Sequence, residues 1–259
     1  MSAAFTLWNK QMVKSLRNQM EMSGMLIQPI LWVVLFGVGM GSLLGPSMPG
    51  GEDFYITFML PGIIALTASG GAIGGGATWL HERLQGIVKE YLAAPIPRMS
   101  ILMGNALSIV TKGLIQSVVI LIVGLLVGAN LSSNPLGWLG ALLLVSGFTL
   151  GFAGMALSMA SSTDNTGAYH AMIMLLNLPL LFLSNALYPL QTMPTWMRVG
   201  ALINPTTYVV TGLRYMLINN GAELAQVDGI PLWLCFLAIA IFVIAGMWLA
   251  YSAFKKSLQ

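Results

Sequence analysis

Charge is what this sequence has least of. Only 7% of the 259 residues are Asp, Glu, Lys or Arg, against 57% hydrophobic, where a soluble domain carries roughly 25% charged residues. So few charges cannot keep a water-facing surface dispersed, which excludes an ordinary soluble fold. The formal net charge of +3 is too small to point to nucleic acid. A single cysteine, Cys235, excludes an internal disulfide and a thiolate metal site. Set between Leu234 and Phe236, it reads as a small apolar residue facing core or lipid. Two histidines and few acids leave no paired groups for hydrolysis inside a bilayer. No Gly-Lys dipeptide occurs, so there is no Walker A loop. The N-terminus has no short apolar stretch followed by a small-residue cleavage site, and no removable signal peptide is expected.

Long apolar runs are what the sequence does have. A spanning helix needs about 20 apolar residues, and six segments qualify: 25–44, 54–80, 113–129, 138–160, 168–187 and 231–254. The expected fold is an all-α membrane protein with six transmembrane helices, residues 1–259 forming one membrane domain. An even number of spans puts both termini on one side. Lys10, Lys14, Arg17, Arg83, Lys89, Arg98, Lys112, Lys255 and Lys256 share that side, leaving Arg198 and Arg214 on the other. The positive-inside rule makes the richer side cytoplasmic.

Three segments do not span. In residues 1–24, Phe5, Trp8, Met12, Leu16 and Met20 recur at helical spacing while Lys10, Lys14 and Arg17 gather elsewhere. This pattern suits an amphipathic helix lying in the cytoplasmic interface; a frayed tail is the alternative. In residues 81–98, Leu84, Ile87, Val88, Tyr91 and Leu92 make one helical stripe, with His81, Glu82, Arg83, Lys89 and Glu90 as its polar side. Pro95 and Pro97 stop that helix. Such a stripe fits a protein groove or lies on the membrane. Residues 188–220 are too apolar for a loop, yet Pro189, Pro194 and Pro205 interrupt them. Two short helices hinged at Asn204-Pro205 form a re-entrant hairpin from the outer face, with Arg198 and Arg214 at water or headgroups.

The spans themselves hold almost no ionisable groups. Lys112 edges the third span, Asp164 sits in a loop, and His170 reads as an interfacial hydrogen-bonding residue. Ion-coupled transporters place acids, bases or broken-helix sites near the bilayer centre, and no such set occurs here. Glycines recur at four-residue spacing, including Gly37/Gly41/Gly45, Gly124/Gly128 and Gly147/Gly151, which allows close helix approach. The run 70–76 is densest and suits a flexible, close-packed or cavity-lining helix. The 18 methionines read as packing, or as an adaptable apolar surface.

Two stretches carry a family resemblance. ERLQGIVKEYLAAPIPRMSILMG (82–104) resembles the cytosolic coupling segment of ABC-type-2 exporter permeases through Glu82, Arg83, Gly86, Glu90, Leu92, Pro95, Pro97 and Arg98. Ile87 replaces the usual threonine, and Lys89 precedes the glutamate. LSNALYPLQTMPTWMRVGALINPTTYVVTGLRYML (183–217) resembles the family's re-entrant segment through Ser184, Tyr188, Pro189, Pro194, Trp196, Asn204 and Pro205. The resemblance covers the whole chain and extends to daunorubicin-resistance permeases. It implies the transmembrane subunit of an ATP-driven exporter in the cytoplasmic membrane, paired with a second permease copy and two cytosolic ATPase subunits. ATP and magnesium would sit on those partners, with no cofactor, metal or catalytic site on this chain. Glu82, Arg83, Leu84, Gly86, Ile87, Glu90, Tyr91, Leu92, Pro95 and Pro97 would form the docking helix, its stripe inserted into the ATPase and its charges on the rim. Ser184, Tyr188, Pro189, Pro194, Trp196, Asn204, Pro205 and Tyr208 would line or gate the outer exit. The uncharged spans suit a hydrophobic or amphipathic cargo such as a drug, antibiotic or lipid. Polysaccharide or glycolipid export is the alternative, with Trp79, Tyr169, Tyr188 and Tyr208 as stacking surfaces. The rival outside the family is a passive channel or membrane assembly factor.

Overall fold

Apolar residues at a 3.6-residue period can satisfy their backbone within helices when lipid surrounds them, and helices account for nearly all the described residues. The computed structural model describes residues 3–39, 51–187, 189–219 and 228–256. Within these lie ten α-helices: α1 (Ala3–Arg17), α2 (Gln19–Trp32), α3 (Gly51–Leu84), α4 (Ile87–Ala93), α5 (Arg98–Leu126), α6 (Pro135–Ser162), α7 (Thr166–Phe182), α8 (Thr195–Ile203), α9 (Pro205–Leu217) and α10 (Leu232–Lys256). The backbone of α2 continues as a π-helix, Val33–Val38. Among the described residues there is no sheet, only an isolated bridge between Leu131 and Ile218.

Four helices are long and apolar enough to cross a membrane: Tyr55–Leu84, Arg98–Leu126, Pro135–Ser162 and Leu232–Lys256. The expected first and fifth spans fall on α2 with its π extension and on the 17-residue α7; residues 40–44 of the first lie outside the described set. Two helices outrun the expected spans. The third begins at Arg98 rather than at residue 113, and the second continues to Leu84. Hydropathy locates the membrane-embedded part of a helix, whereas these extensions carry polar residues that bond to α1. The N-terminal helix is also shorter than the 1–24 expected. It stops at Arg17 because Asn18 turns extended (φ −91°, ψ 91°) and its side chain accepts from Glu21 N, capping α2.

The central element is α3, packed on α5, α6, α7 and α9. Leu60, Ile64, Ala68, Ala72 and Trp79 are buried along it. Helix α6 packs against α10, and small residues set how closely. A Cβ on Gly154 would fall 2.5 Å from the Gly246 carbonyl oxygen, so backbone meets backbone there. Phe152 meets Phe242 edge-on with ring centroids 5.0 Å apart beside this crossing. On the outward faces Leu139, Leu143, Leu175, Ile244 and Trp248 are exposed. Patches this large and apolar would aggregate in water, and they suit a multi-pass membrane protein.

Candidate functional site

The first candidate region is the junction of α3, α4 and α5. Gly86 adopts φ +82°, a left-handed conformation that glycine reaches without Cβ strain, and this breaks α3 from α4. Helix α4 is only seven residues long and ends at Ala94, extended as the residue before Pro95 must be. Pro97 then precedes α5. Val88 is buried, and Tyr91, Leu92 and Ile96 pack against the chain's own core. Leu84 is 46% exposed; Lys89, Glu90, Pro95 and Pro97 are exposed as well, and Ile87 is half-buried. The expected stripe is therefore divided, with most of it facing inward. Periodicity finds the apolar face of a helix but cannot say whether self or partner covers it.

Two charges expected on the polar rim bond within the chain instead, and one of them is buried. Glu82 is 1% exposed. Its carboxylate accepts from Gln11 Nε2 at 3.1 Å to each oxygen and from Lys14 Nζ at 3.0 Å. Gln11 also donates to Asn105 Oδ1 at 3.2 Å, which joins α1, α3 and α5 in one polar knot. Lys10 Nζ donates to the Tyr91 hydroxyl, tying α1 to α4 as well. Arg83 points the other way. It donates to Ser161 O at 2.7 Å, to Thr163 O, and to Asp164 Oδ1 at 2.6 Å. The root of α4 is thus held on one side by α1 and on the other by the α6–α7 loop. Nearby, Glu21 accepts from Lys112 Nζ at 2.7 Å and from Ser15 Oγ at 2.5 Å.

The second region lies toward the opposite end. Helices α8 and α9 meet at Asn204, as the Asn-Pro step predicts. Its Oδ1 accepts from Thr206 N at 2.9 Å, capping α9, and its Nδ2 donates to Leu180 O at 2.8 Å and to Leu183 O. Pro205 opens α9 at a position where no amide donor is needed. Ser184 is buried, Trp196 is 72% exposed, and Pro189 and Pro194 bracket a short 3₁₀ turn, Leu190–Thr192. Tyr208 OH donates to Leu202 O at 2.6 Å. Tyr188 lies outside the described residues.

Arg214 overturns its expected place at water or headgroups. It is fully buried and donates from Nη1 to Asp228 Oδ2 at 3.2 Å and from Nη2 to Asn185 O at 2.7 Å. Its guanidinium lies 3.8 Å from the Phe58 ring centroid. Asp228 also accepts from Asn185 Nδ2 at 2.6 Å, Thr211 Oγ1 at 3.3 Å and Leu190 N at 3.3 Å. The apolar surroundings of Arg214 in sequence suggested an interface; its partner, 14 residues on, supplies what water would have.

A family model described as "ABC-2 type transporter" matches residues 2–218. The chain belongs to the ABC-2 type transporter family. It is 35% identical over 197 residues, 75% of this chain and 67% of the other, to the putative transport permease ycf38 of Porphyra purpurea. It is 25% identical over 219 residues to the daunorubicin resistance ABC transporter permease protein DrrB1 of Streptomyces coeruleorubidus, covering 83% and 75% of the two chains. It is also 20% identical over 254 residues to the inner membrane transport permease YadH of Escherichia coli K12, covering 97% and 94%. An ABC-2 permease domain has no ATPase site of its own and implies a partnering ATPase subunit.

In this ABC-2 permease two of the stacking aromatics are not available. Trp79 and Tyr169 are fully buried, donating to Ser161 Oγ at 3.2 Å and to Ile73 O at 2.8 Å. Both are internal braces rather than sugar platforms. Sequence reasoning also missed Gln11, Asn105 and Asp228. A signal existed for the first: Gln11 lies one turn from Lys14 and Ser15 on α1, a polar stripe opposite the apolar one.

Proposed function

We propose that the chain is the membrane subunit of an ATP-driven exporter of hydrophobic or amphipathic compounds. Six spans with both termini in the cytoplasm fit the fold, because α2 with its π extension and α7 approach the length a bilayer core requires, roughly 20 residues. Helix α1 lies at the cytoplasmic interface with Phe5, Leu16 and the neighbouring Met20 toward lipid, all three exposed. Helices α8 and α9 enter from the outer face without crossing. Two copies of the permease and two ATPase subunits make the working assembly in the cytoplasmic membrane. The similarity to a daunorubicin resistance permease supports an amphiphilic cargo.

One observation carries this reading: a seven-residue helix set off by Gly86 and two prolines, whose root is bonded to both neighbouring elements. Its inward face is occupied by the chain's own core, so the ATPase would meet the remaining edge of Leu84, Lys89, Glu90 and Pro95. A push on that edge reaches α1 through Glu82 and the α6–α7 loop through Arg83. The test is copurification of an ATPase with the variant Leu84→Asp/Lys89→Glu/Glu90→Lys. Membrane insertion should be unchanged and ATPase recovery should fall at least ten-fold. Full recovery would move the docking surface elsewhere on the permease.

A further inference from the structure

A crevice of about 350 Å³ opens between α2, the glycine-rich stretch of α3, α5 and α7. Its floor is bare backbone at Gly70, Gly71, Gly74 and Gly75. Gln116 lines it and is 6% exposed. The Gln116 amide donates to Met25 O at 3.0 Å, but its Oε1 is buried with no hydrogen-bond partner. A Cβ on Gly71 would come within 2.8 Å of that oxygen, so only glycine leaves room for it against the crevice floor. A buried acceptor without a donor is destabilising, and a bound donor recovers that cost. The ion pair of Lys112 and Glu21 stands at the rim, so the lining presents no uncompensated cation for an anionic group. Trp32, Met25 and Leu66 supply apolar wall, and the volume is that of a small-molecule site.

We propose that this crevice binds an amphiphile whose head group, a hydroxyl or an ammonium, donates a hydrogen bond to Gln116 Oε1 while its body lies on the glycine floor. The proposal rests on the exporter reading, for which it names the cargo's chemistry. The shared chemistry is a hydrogen-bond donor on an apolar body, whether it arrives as a bilayer lipid or as a free compound.

The probe is 9-(aminomethyl)anthracene, set against its trimethylammonium analogue, which keeps the charge but has no N–H donor. Each is titrated into the full-length chain in phosphatidylcholine nanodiscs and followed by anthracene anisotropy above that of empty discs. The primary amine should bind saturably and at least ten-fold tighter than the analogue. Gln116→Leu should erase that preference. Gly74→Leu should abolish saturable binding of both probes; a Cβ there has nothing within 4 Å, so the added side chain fills the crevice without a clash at its root. Equal affinities of the two probes in the unaltered protein, or unchanged binding in Gly74→Leu, would overturn the proposal. Native mass spectrometry then assigns the source. Phosphatidylethanolamine retained by the purified chain, lost in Gly74→Leu and displaced by the amine, marks a lipid ligand, whereas amine bound to lipid-free protein marks a soluble one. Failure of these titrations with ATPase copurification intact removes the crevice alone; probe binding with no ATPase recovered removes the exporter reading.

Discussion

Two acid–base clusters stand toward opposite ends of this molecule, and solvent treats them differently. At the α3–α4 junction Glu82 is 1% exposed, but its partner Lys14 is 48% exposed, and Asp164 beside Arg83 is 90% exposed. In the hairpin region both partners are sealed, Arg214 at 0% and Asp228 at 2%. A pair with one foot in water can lengthen and re-form cheaply, because water replaces the lost partner. A sealed pair cannot, because separation leaves a desolvated charge. The junction is therefore built to yield and the hairpin to hold. That division suits a permease driven from the α3–α4 junction against a fixed frame at the other end.

The sharpest break in the comparison is Asp228→Leu. It leaves the Arg214 guanidinium without its carboxylate and strips acceptors from Asn185 and Thr211. Removing one partner of a buried pair costs about 3–5 kcal/mol, so folded protein should largely be lost from detergent extracts. The double variant Arg214→Met/Asp228→Leu should recover most of it, since an apolar pair carries no stranded charge. Thermal unfolding of both variants decides the matter; an undamaged Asp228→Leu would show that the hairpin is held by something else.

Glu82→Leu should do less. Lys14 and the half-buried Tyr91 hydroxyl can turn to water, and the buried donor left is the Gln11 amide, which keeps Asn105 as an acceptor. A cost of about 1–3 kcal/mol follows from one buried donor losing a partner. The loss should be local. Hydrogen exchange should quicken across Ala3–Arg17 and stay unchanged across Pro205–Leu217. Faster exchange in both helices would mean the two regions are one cooperative unit and the contrast is false.

Which parts of this were legible beforehand follows from what sequence patterns encode. The Asn204-Pro205 step announced its hinge because the Asn204 cap that makes it acts within three residues. The proline pair announced the end of α4 for the same reason, but the stripe read as one helix from Leu84 to Leu92 hid the break at Gly86. The long apolar helices were readable from hydropathy alone. Partnership across the chain was not. Glu82 and Gln11 are 71 positions apart and Arg83 and Asp164 are 81 apart, and no local spacing links them. A charged residue in the one-dimensional pattern looks like a surface residue, and Glu82 and Arg214 were both misplaced on that ground. The apolar stripe through α4 shows the same blindness in reverse: its period was right, but the protein itself covers it at Val88, Tyr91 and Leu92. The glycine floor at 70–76 stood out as unusual, but only packing shows that Gly70 and Gly74 face open space while Gly75 and Gly76 lie against Ile109, Tyr169 and Ala156.

The smallest expected effect sharpens the contrast most. Asp164→Ala removes a carboxylate that is almost fully in water, while Arg83 keeps its bonds to the Ser161 and Thr163 carbonyls. An exposed pair is worth about 0.2–1 kcal/mol, so the melting temperature should fall by no more than about 4 °C. Salt should remove even that, because at 1 M the screening length shrinks to about 3 Å. The backbone bonds, which salt screens far less, would then be what positions Arg83. If instead Asp164→Ala destabilises as strongly as Glu82→Leu and resists salt, the loop carboxylate is not solvated in the working protein. Some element beyond this chain would have to cover it, and the junction would be as sealed as the hairpin.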